Sequence, residues 1–356
     1  MGFYDALQLD PAVLKPRIRA VATVQERRKF QLALVLRSVL IVAFAIGFIT
    51  PLSTLFGQEN SPMAMALFCI LLGIRFVDMG CCIKDSLINL AASFFLLLLG
   101  PVLASLVNPF LALPIHFISF FLILLMTCDR PEMGNGGLYG FAYVFLSGNP
   151  VTGEQFWKRF GLTVVGYLLC GSILYFKHRH KNTQVRFSQI VRSFDLTSDK
   201  SRWQLRFALG VSLILTLGSA LSLERFMWAG FACGSMLSGY PYTVDVRERF
   251  WHRMLGVVLG SSMFYVMYLV LPPSLHSLLG PIGGLCLGFC TDYRYKTAIN
   301  CFGALMMATA LYGVQGAVLL RILNNLLGVT FGFTVILLYQ KVMERWFDPA
   351  PENVKE

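Results

Sequence analysis

From Leu32 to Tyr339 the chain is a succession of apolar runs separated by short polar or basic links, and this alternation restricts the solvent it can fold in. A run of about 20 apolar residues crosses a bilayer as a helix, with about 17 as a working minimum. Inside the hydrocarbon every backbone N–H and C=O must be satisfied within its own segment, so unbroken apolar runs of this kind have to be helical. Hydrophobic residues make up 56% of the chain and charged residues only 14%, against about 25% charged in water-soluble domains. The expected class is an all-α integral membrane protein.

The runs fall at Leu32–Thr50, Pro62–Ile74, Leu87–Val107, Pro109–Cys128, Leu138–Leu146 and Phe160–Phe176, then at Phe207–Leu223, Phe226–Gly239, Met254–Leu271, Leu275–Cys290, Ala298–Val314 and Ala317–Tyr339. Several are short for a span, and charge supplies the argument for keeping them. If all twelve cross and the amino terminus is cytoplasmic, every one of the 30 Lys and Arg residues except Arg37, Lys158, Arg159, Arg225 and Arg321 lies on or beside a cytoplasmic segment. Omitting one short helix would invert the following loops and destroy that asymmetry, which normally sets orientation. The expected architecture is therefore about twelve transmembrane helices with both termini cytoplasmic.

The two halves repeat. Ala66 and Phe68 recur as Ala229 and Phe231, Asp129 as Asp292, Arg159 and Gly166 as Arg321 and Gly328, and the run Lys29–Leu32 as Arg202–Leu205. Six helices per half preserve orientation, which implies two parallel six-helix repeats. The expected divisions are a cytoplasmic or interfacial amphipathic segment (1–29), a first membrane repeat (30–176), a basic cytoplasmic linker (177–202), a second membrane repeat (203–340) and a cytoplasmic tail (341–356). The net charge of +11 sits between apolar runs, so it points to cytoplasmic loops and anionic lipid headgroups, not to nucleic acid.

Candidate chemistry is sparse. No nucleophile with a base, phosphate loop or carboxylate pair appears, so catalysis is not expected. The nine cysteines are scattered and lack the clustering of a metal site, and no cofactor or metal is expected. The informative residues are membrane arginines, which cost free energy in hydrocarbon unless paired or hydrated. Arg159 and Arg321 occupy matching positions, Lys158 adds a charge beside the first, and Asn324 and Asn325 follow the second at helical spacing. Either these side chains line an anion pathway, or they snorkel to headgroups and tie down loops. Gly134–Gly137 opens a short helix whose exposed N–H groups would attract an anion, or forms a flexible loop. His116 stands deep in an apolar run and is the proton-relay candidate, a packed neutral histidine being the other reading. Asp85 and Glu154 read as solvated carboxylates at helix edges, and His178 and His180 as solvated residues of the basic linker.

Between Arg247 and Gly260 a charged and aromatic cluster passes into a helix with Gly256 and Gly260 on its small-residue face, as where a chain enters a bilayer from its basic side. Arg253, Gly256 and Gly260 form an R-x-x-G-x-x-x-G pattern, followed by the Asp292 and Arg294 loop and the Arg321-bearing last helix. This order resembles the fusaric acid resistance family of bacterial aromatic acid exporters and, more distantly, the plant aluminium-activated malate transporters. The likeness covers Arg202 to Lys341 well and the first half loosely: Leu90, Ala92 and Leu96 stand where the first copy would carry the motif.

The resemblance implies outward movement of small organic anions, aromatic carboxylates foremost, or passive anion conduction in the channel branch; the expected function is a secondary transporter in the bacterial cytoplasmic membrane, coupled to the proton gradient. It implies that Arg253 guards the cytoplasmic mouth, with Arg249, Gly256, Gly260, Asp292 and Arg294 in the gate. Arg321, with Arg159, Lys158, Asn324 and Asn325, would then contact the anion. An anion channel and a non-transporting scaffold or lipid-handling partner are the alternatives. The expected partners are the anion, membrane lipids and a second copy in a homodimer.

Overall fold

The structure is a computed structural model that describes residues 2–21, 23–240 and 246–346; the tail expected over 341–356 lies outside the described residues beyond 346. Its described residues form helices and no strand: α1 (Phe3–Gln8), α2 (Pro11–Ala20), α3 (Val24–Phe56), α4 (Ser61–Ile74), α5 (Ile83–Ser105), α6 (Pro109–Thr127), α7 (Asn135–Ser147) and α8 (Gly153–His178) come first. Then follow α9 (Phe187–Arg192), α10 (Asp199–Ala220), α11 (Met227–Leu237), α12 (Val246–Val270), α13 (Leu279–Leu287), α14 (Tyr293–Ile299) and α15 (Cys301–Trp346). The last is broken at Gly313, whose φ of 67° is open to glycine and strained for other residues.

Each of the twelve apolar runs lies on helix. Seven stretches are long and apolar enough to cross a membrane unaided: α3, α5, α6, α8, α10, α12 and the continuous Tyr293–Met343 segment. This is a multi-pass membrane protein. At 14, 13, 11 and 9 residues, α4, α7, α11 and α13 are each shorter than a full span.

The chain forms two compact units, Met1–Phe48 with Trp251–Leu323, and Ile49–Phe250 with Asn324–Glu356. The division falls within α3, α12 and α15, so neither unit coincides with a half of the sequence. In the first unit α2 stops at Ala20, and Arg27, Arg28 and Lys29 belong to the opening turns of α3. The reason is a small apolar core. Ala6 and Leu14 pack with Phe30, Ala33 and Leu34 of α3 and with Phe289, leaving Arg17 and Arg19 outside. Further along, α3 meets α13 through small residues, Gly284 facing Val42 and Gly288 facing Ser38.

In the second unit the corresponding contact joins the first helix of the other half to α6. Phe207 of α10 meets Phe120 of α6 edge-on at 5.0 Å, and the Gln204 amide donates to the Leu124 and Cys128 carbonyls, each at 3.3 Å. The glycine run before α7 serves this packing. A Cβ on Gly136 would lie 2.5 Å from the Trp203 ring, one on Gly140 would lie 2.9 Å from Phe207, and the Asn135 amide donates to the Thr127 carbonyl at 3.0 Å. The helix start read as an anion site or a flexible loop is thus closed by an indole and a side-chain amide. Two glycines of the long helices each pack closely on a short helix: a Cβ on Gly166 would overlap Leu67 of α4, and one on Gly328 would overlap the Ala229 backbone of α11.

The linker is ordered against the ends of these helices. Asp78 accepts from Asn182 at 2.8 Å, and Asp85 accepts from the Phe187 amide at 2.8 Å and faces Arg186 at 3.4 Å. Asp129 pairs with Lys200 at 2.9 Å. His178, expected in solvent, is buried as the last residue of α8 and donates from Nε2 to the Ile74 carbonyl at 2.8 Å. Asp85, also expected free in solvent, is a docking point for the linker.

Candidate functional site

Arg159 and Arg321, expected to be equivalent, have different surroundings. Arg159 is 1% exposed. Its Nε donates to Asn60 Oδ1 at 2.9 Å, one terminal nitrogen donates to the Asn149 carbonyl at 2.8 Å, and the other to the Glu59 carbonyl at 2.8 Å. Asn60 in turn donates to the Phe56 carbonyl at 2.8 Å. The guanidinium fork therefore holds two chain breaks, before α4 and before α8, and supplies carbonyls that the helix ends leave unsatisfied. Lys158 does not join it. Its ammonium lies 2.7 Å from Glu154, on a half-exposed i,i+4 pair of a kind worth about 0.3–0.5 kcal/mol.

The link back to the second helix of the other half is made by a different residue. Asn324 donates to the Glu224 carbonyl at 3.1 Å, and Asn325 is buried. Arg321, 4% exposed, lies beside the Cys301 thiol and within electrostatic range of Arg253. Arg253 in turn donates to the Tyr293 hydroxyl at 3.3 Å. The gate residue and the deep residue expected from the sequence are thus neighbours in one unit.

Small residues make that proximity available. A Cβ on Gly256 would lie 2.9 Å from the Arg294 carbonyl, and one on Gly260 would lie 2.6 Å from the Ala298 Cα, so α12 and α14 meet backbone to backbone. Asp292 caps α14, accepting from the Arg294 amide at 2.8 Å, and its other oxygen lies 3.2 Å from the Arg294 guanidinium. That guanidinium and the amide beside it hold the Asp292 carboxyl below the usual carboxylate range. These two gate candidates neutralise one another at the mouth of α14. Arg249, in the second unit, lies against Gly239 of that same unit, where a Cβ would stand 2.6 Å from its terminal nitrogen.

His116 is buried on α6, with Nδ1 3.0 Å from the Tyr143 hydroxyl of α7. Sequence reading missed Tyr143, as it missed Asn60, Asn149, Tyr293 and Cys301. Most of them act through a neighbour remote in sequence, and Asn149 acts through its backbone carbonyl, so no local spacing marks them. Among the described residues no group of three or more His, Cys, Asp or Glu side chains is placed to hold a metal ion.

Residues 212–335 match the family model described as fusaric acid resistance protein-like, a family of membrane transporters. The match bears out the resemblance carried by Arg253, Gly256, Gly260 and Arg321, all of which lie inside it. No curated protein and no solved structure matches the chain.

Proposed function

We propose that this protein is a secondary transporter that exports small organic anions, aromatic carboxylates foremost, from the bacterial cytoplasm in exchange for protons. The observation that carries the reading is Arg321: a guanidinium buried in an apolar helix, inside the segment that matches a transporter family. A buried membrane arginine costs several kcal/mol unless its charge is compensated. In this reading a carboxylate binds beside Arg321 and Arg253, and leaves when the pathway opens to the other side.

In this reading Arg249 and Arg253 raise the local anion concentration at the cytoplasmic mouth. Arg321 receives the carboxylate deeper in, with Asn324 and Asn325 one turn further along the helix. Arg159 holds helices in place and Lys158 lies outside the pathway. Twelve spans, cytoplasmic termini and two parallel repeats complete the proposal, supported by the basic-residue asymmetry and by the paired contacts of Gly166 and Gly328. The basic residues of α2 face anionic lipid headgroups.

Flux of labelled benzoate and phthalate in proteoliposomes tests this, with protein-free vesicles subtracted. Arg321→Gln is expected to lower saturable flux by about two orders of magnitude, the loss of about 3 kcal/mol of charge-assisted contact, in protein that remains monodisperse. Undiminished flux removes Arg321 from the pathway. Large unitary currents that ignore a pH gradient would make the protein a channel.

A further inference from the structure

Three polar side chains meet in the apolar interior of the second unit. His116 Nδ1 is 3.0 Å from the Tyr143 hydroxyl, the rings edge-on at 84°. Ser119, nearly one turn after His116 on α6, stands beside the same hydroxyl. Gly100 of α5 closes the third side with bare backbone: a Cβ there would lie 2.8 Å from Ser119 Oγ and 3.0 Å from Tyr143 Oη. Histidine and tyrosine are both buried. Pro101 and Pro114 flank the cluster, and each removes a helical N–H, leaving the Leu97 and Phe110 carbonyls without their usual donors.

Hydrogen-bond direction is what distinguishes this cluster from ordinary packing. Hydroxyls donate and accept, and an imidazole nitrogen does either according to its proton. With neutral His116, Ser119 donates to Tyr143, and Tyr143 donates to Nδ1, the ring proton residing on Nε2. When one proton is added to His116, Nδ1–H becomes the donor to Tyr143 Oη, and the Tyr143 hydroxyl turns to donate to Ser119 Oγ. Every contact survives, reversed, and only one proton has entered. A histidine whose Nδ1 faced a backbone N–H would have no such second state.

The surroundings put the charge change on His116 itself. Tyr143 is the titratable group that faces it from α7, and α5 contributes Gly100 and Pro101 on its side. From α10, Phe207 and Gln204 pack further along α6, and the Lys200–Asp129 pair lies beyond the far end of that helix.

We propose that His116, Tyr143 and Ser119 form the proton-carrying site that couples anion export to the proton gradient, an inference that rests on the transporter reading above. The substrate class at this site is a single proton, taken up by the imidazole and released on the opposite side of the membrane.

The test separates coupling from transport in one preparation. Proteoliposomes carrying wild type, His116→Asn, Tyr143→Phe or Ser119→Ala are assayed for phthalate uptake driven by a pH gradient and for phthalate exchange at equal pH on both sides. His116→Asn is expected to lose gradient-driven uptake by about tenfold or more and to keep exchange within about twofold. Tyr143→Phe, which retains ring shape but cannot relay, is expected to lower the driven component in the same selective way, and serves if His116→Asn fails to fold. Driven uptake that persists in both variants overturns the inference, as does loss of exchange in equal proportion from monodisperse protein. Wild-type exchange without any response to pH overturns it and leaves the transporter standing. Wild type with neither activity removes both.

Discussion

Arg159 Nε lies 2.9 Å from Asn60 Oδ1, a bond that spans 99 residues of sequence and is accompanied by two more from the same guanidinium to the Glu59 and Asn149 carbonyls. A cation buried with this many acceptors is a structural part. Removing it leaves buried carbonyls without donors, each worth about 1–3 kcal/mol. Arg159→Gln is expected to lower the unfolding midpoint in detergent steeply, and Arg159→Lys to recover only part, since an ammonium lacks the planar fork. Wild-type melting with abolished flux would instead put Arg159 on the substrate.

Gly260 and Gly303 predict opposite outcomes for one substitution. A Cβ on Gly260 would overlap the Ala298 backbone, whereas Gly303 has open space around it. Gly260→Ala should cost about 1–3 kcal/mol through the forced separation of α12 and α14. Gly303→Ala should be neutral or stabilise by about 0.5–1 kcal/mol, by helix propensity. Chemical denaturation of both variants beside wild type compares them directly.

The linker is held by charge at its carboxyl end. Lys200 and Asp129 lie 2.9 Å apart and are largely shielded, so Lys200→Glu sets two carboxylates in contact. Limited proteolysis between Lys181 and Arg192 should accelerate severalfold and slow again as salt is added, because salt now screens a repulsion where in wild type it screens an attraction. The double exchange Asp129→Lys with Lys200→Glu should restore protection. Unchanged cleavage would mean that the Asp78 and Asp85 contacts suffice.

Asp292 gives a pH dependence of known sign. Its carboxyl is held below the usual range by Arg294, so the folded state binds a proton less readily than the unfolded chain. Its contribution to stability is therefore complete above the unfolded value of about 4 and disappears as pH falls through the lower folded value. Asp292→Asn keeps a good helix cap and loses the charge. The midpoint difference from wild type should be constant from pH 7 to about 5 and close below about 4. A gap that widens on acidification would contradict the assignment.

Much of the architecture was legible in the sequence. Each apolar run lies on helix, because within hydrocarbon a continuous apolar segment has no other way to satisfy its backbone. Some local readings changed for tertiary reasons. The segment ending at Lys29 divides because Leu14 finds Phe30 and Leu34 to pack on, and the glycines before α7 accommodate Trp203. His178 and Asp85 looked solvated because their partners, the Ile74 carbonyl and the Phe187 amide, lie about a hundred residues away in sequence.

By itself the sequence determined that this is a multi-pass helical membrane protein, that residues 212–335 match the fusaric acid resistance protein-like family model, and that Arg159 and Arg321 stand within apolar runs. Tertiary structure decided what those arginines do. Arg159 meets Asn60 and two helix-end carbonyls, while Asn324 makes the link to Glu224 in the other half and Arg321 turns to Cys301 and Arg253. Sequence records the cost of placing a charge in an apolar helix. Which acceptors offset that cost depends on backbone carbonyls and distant side chains, and only packing brings those within reach.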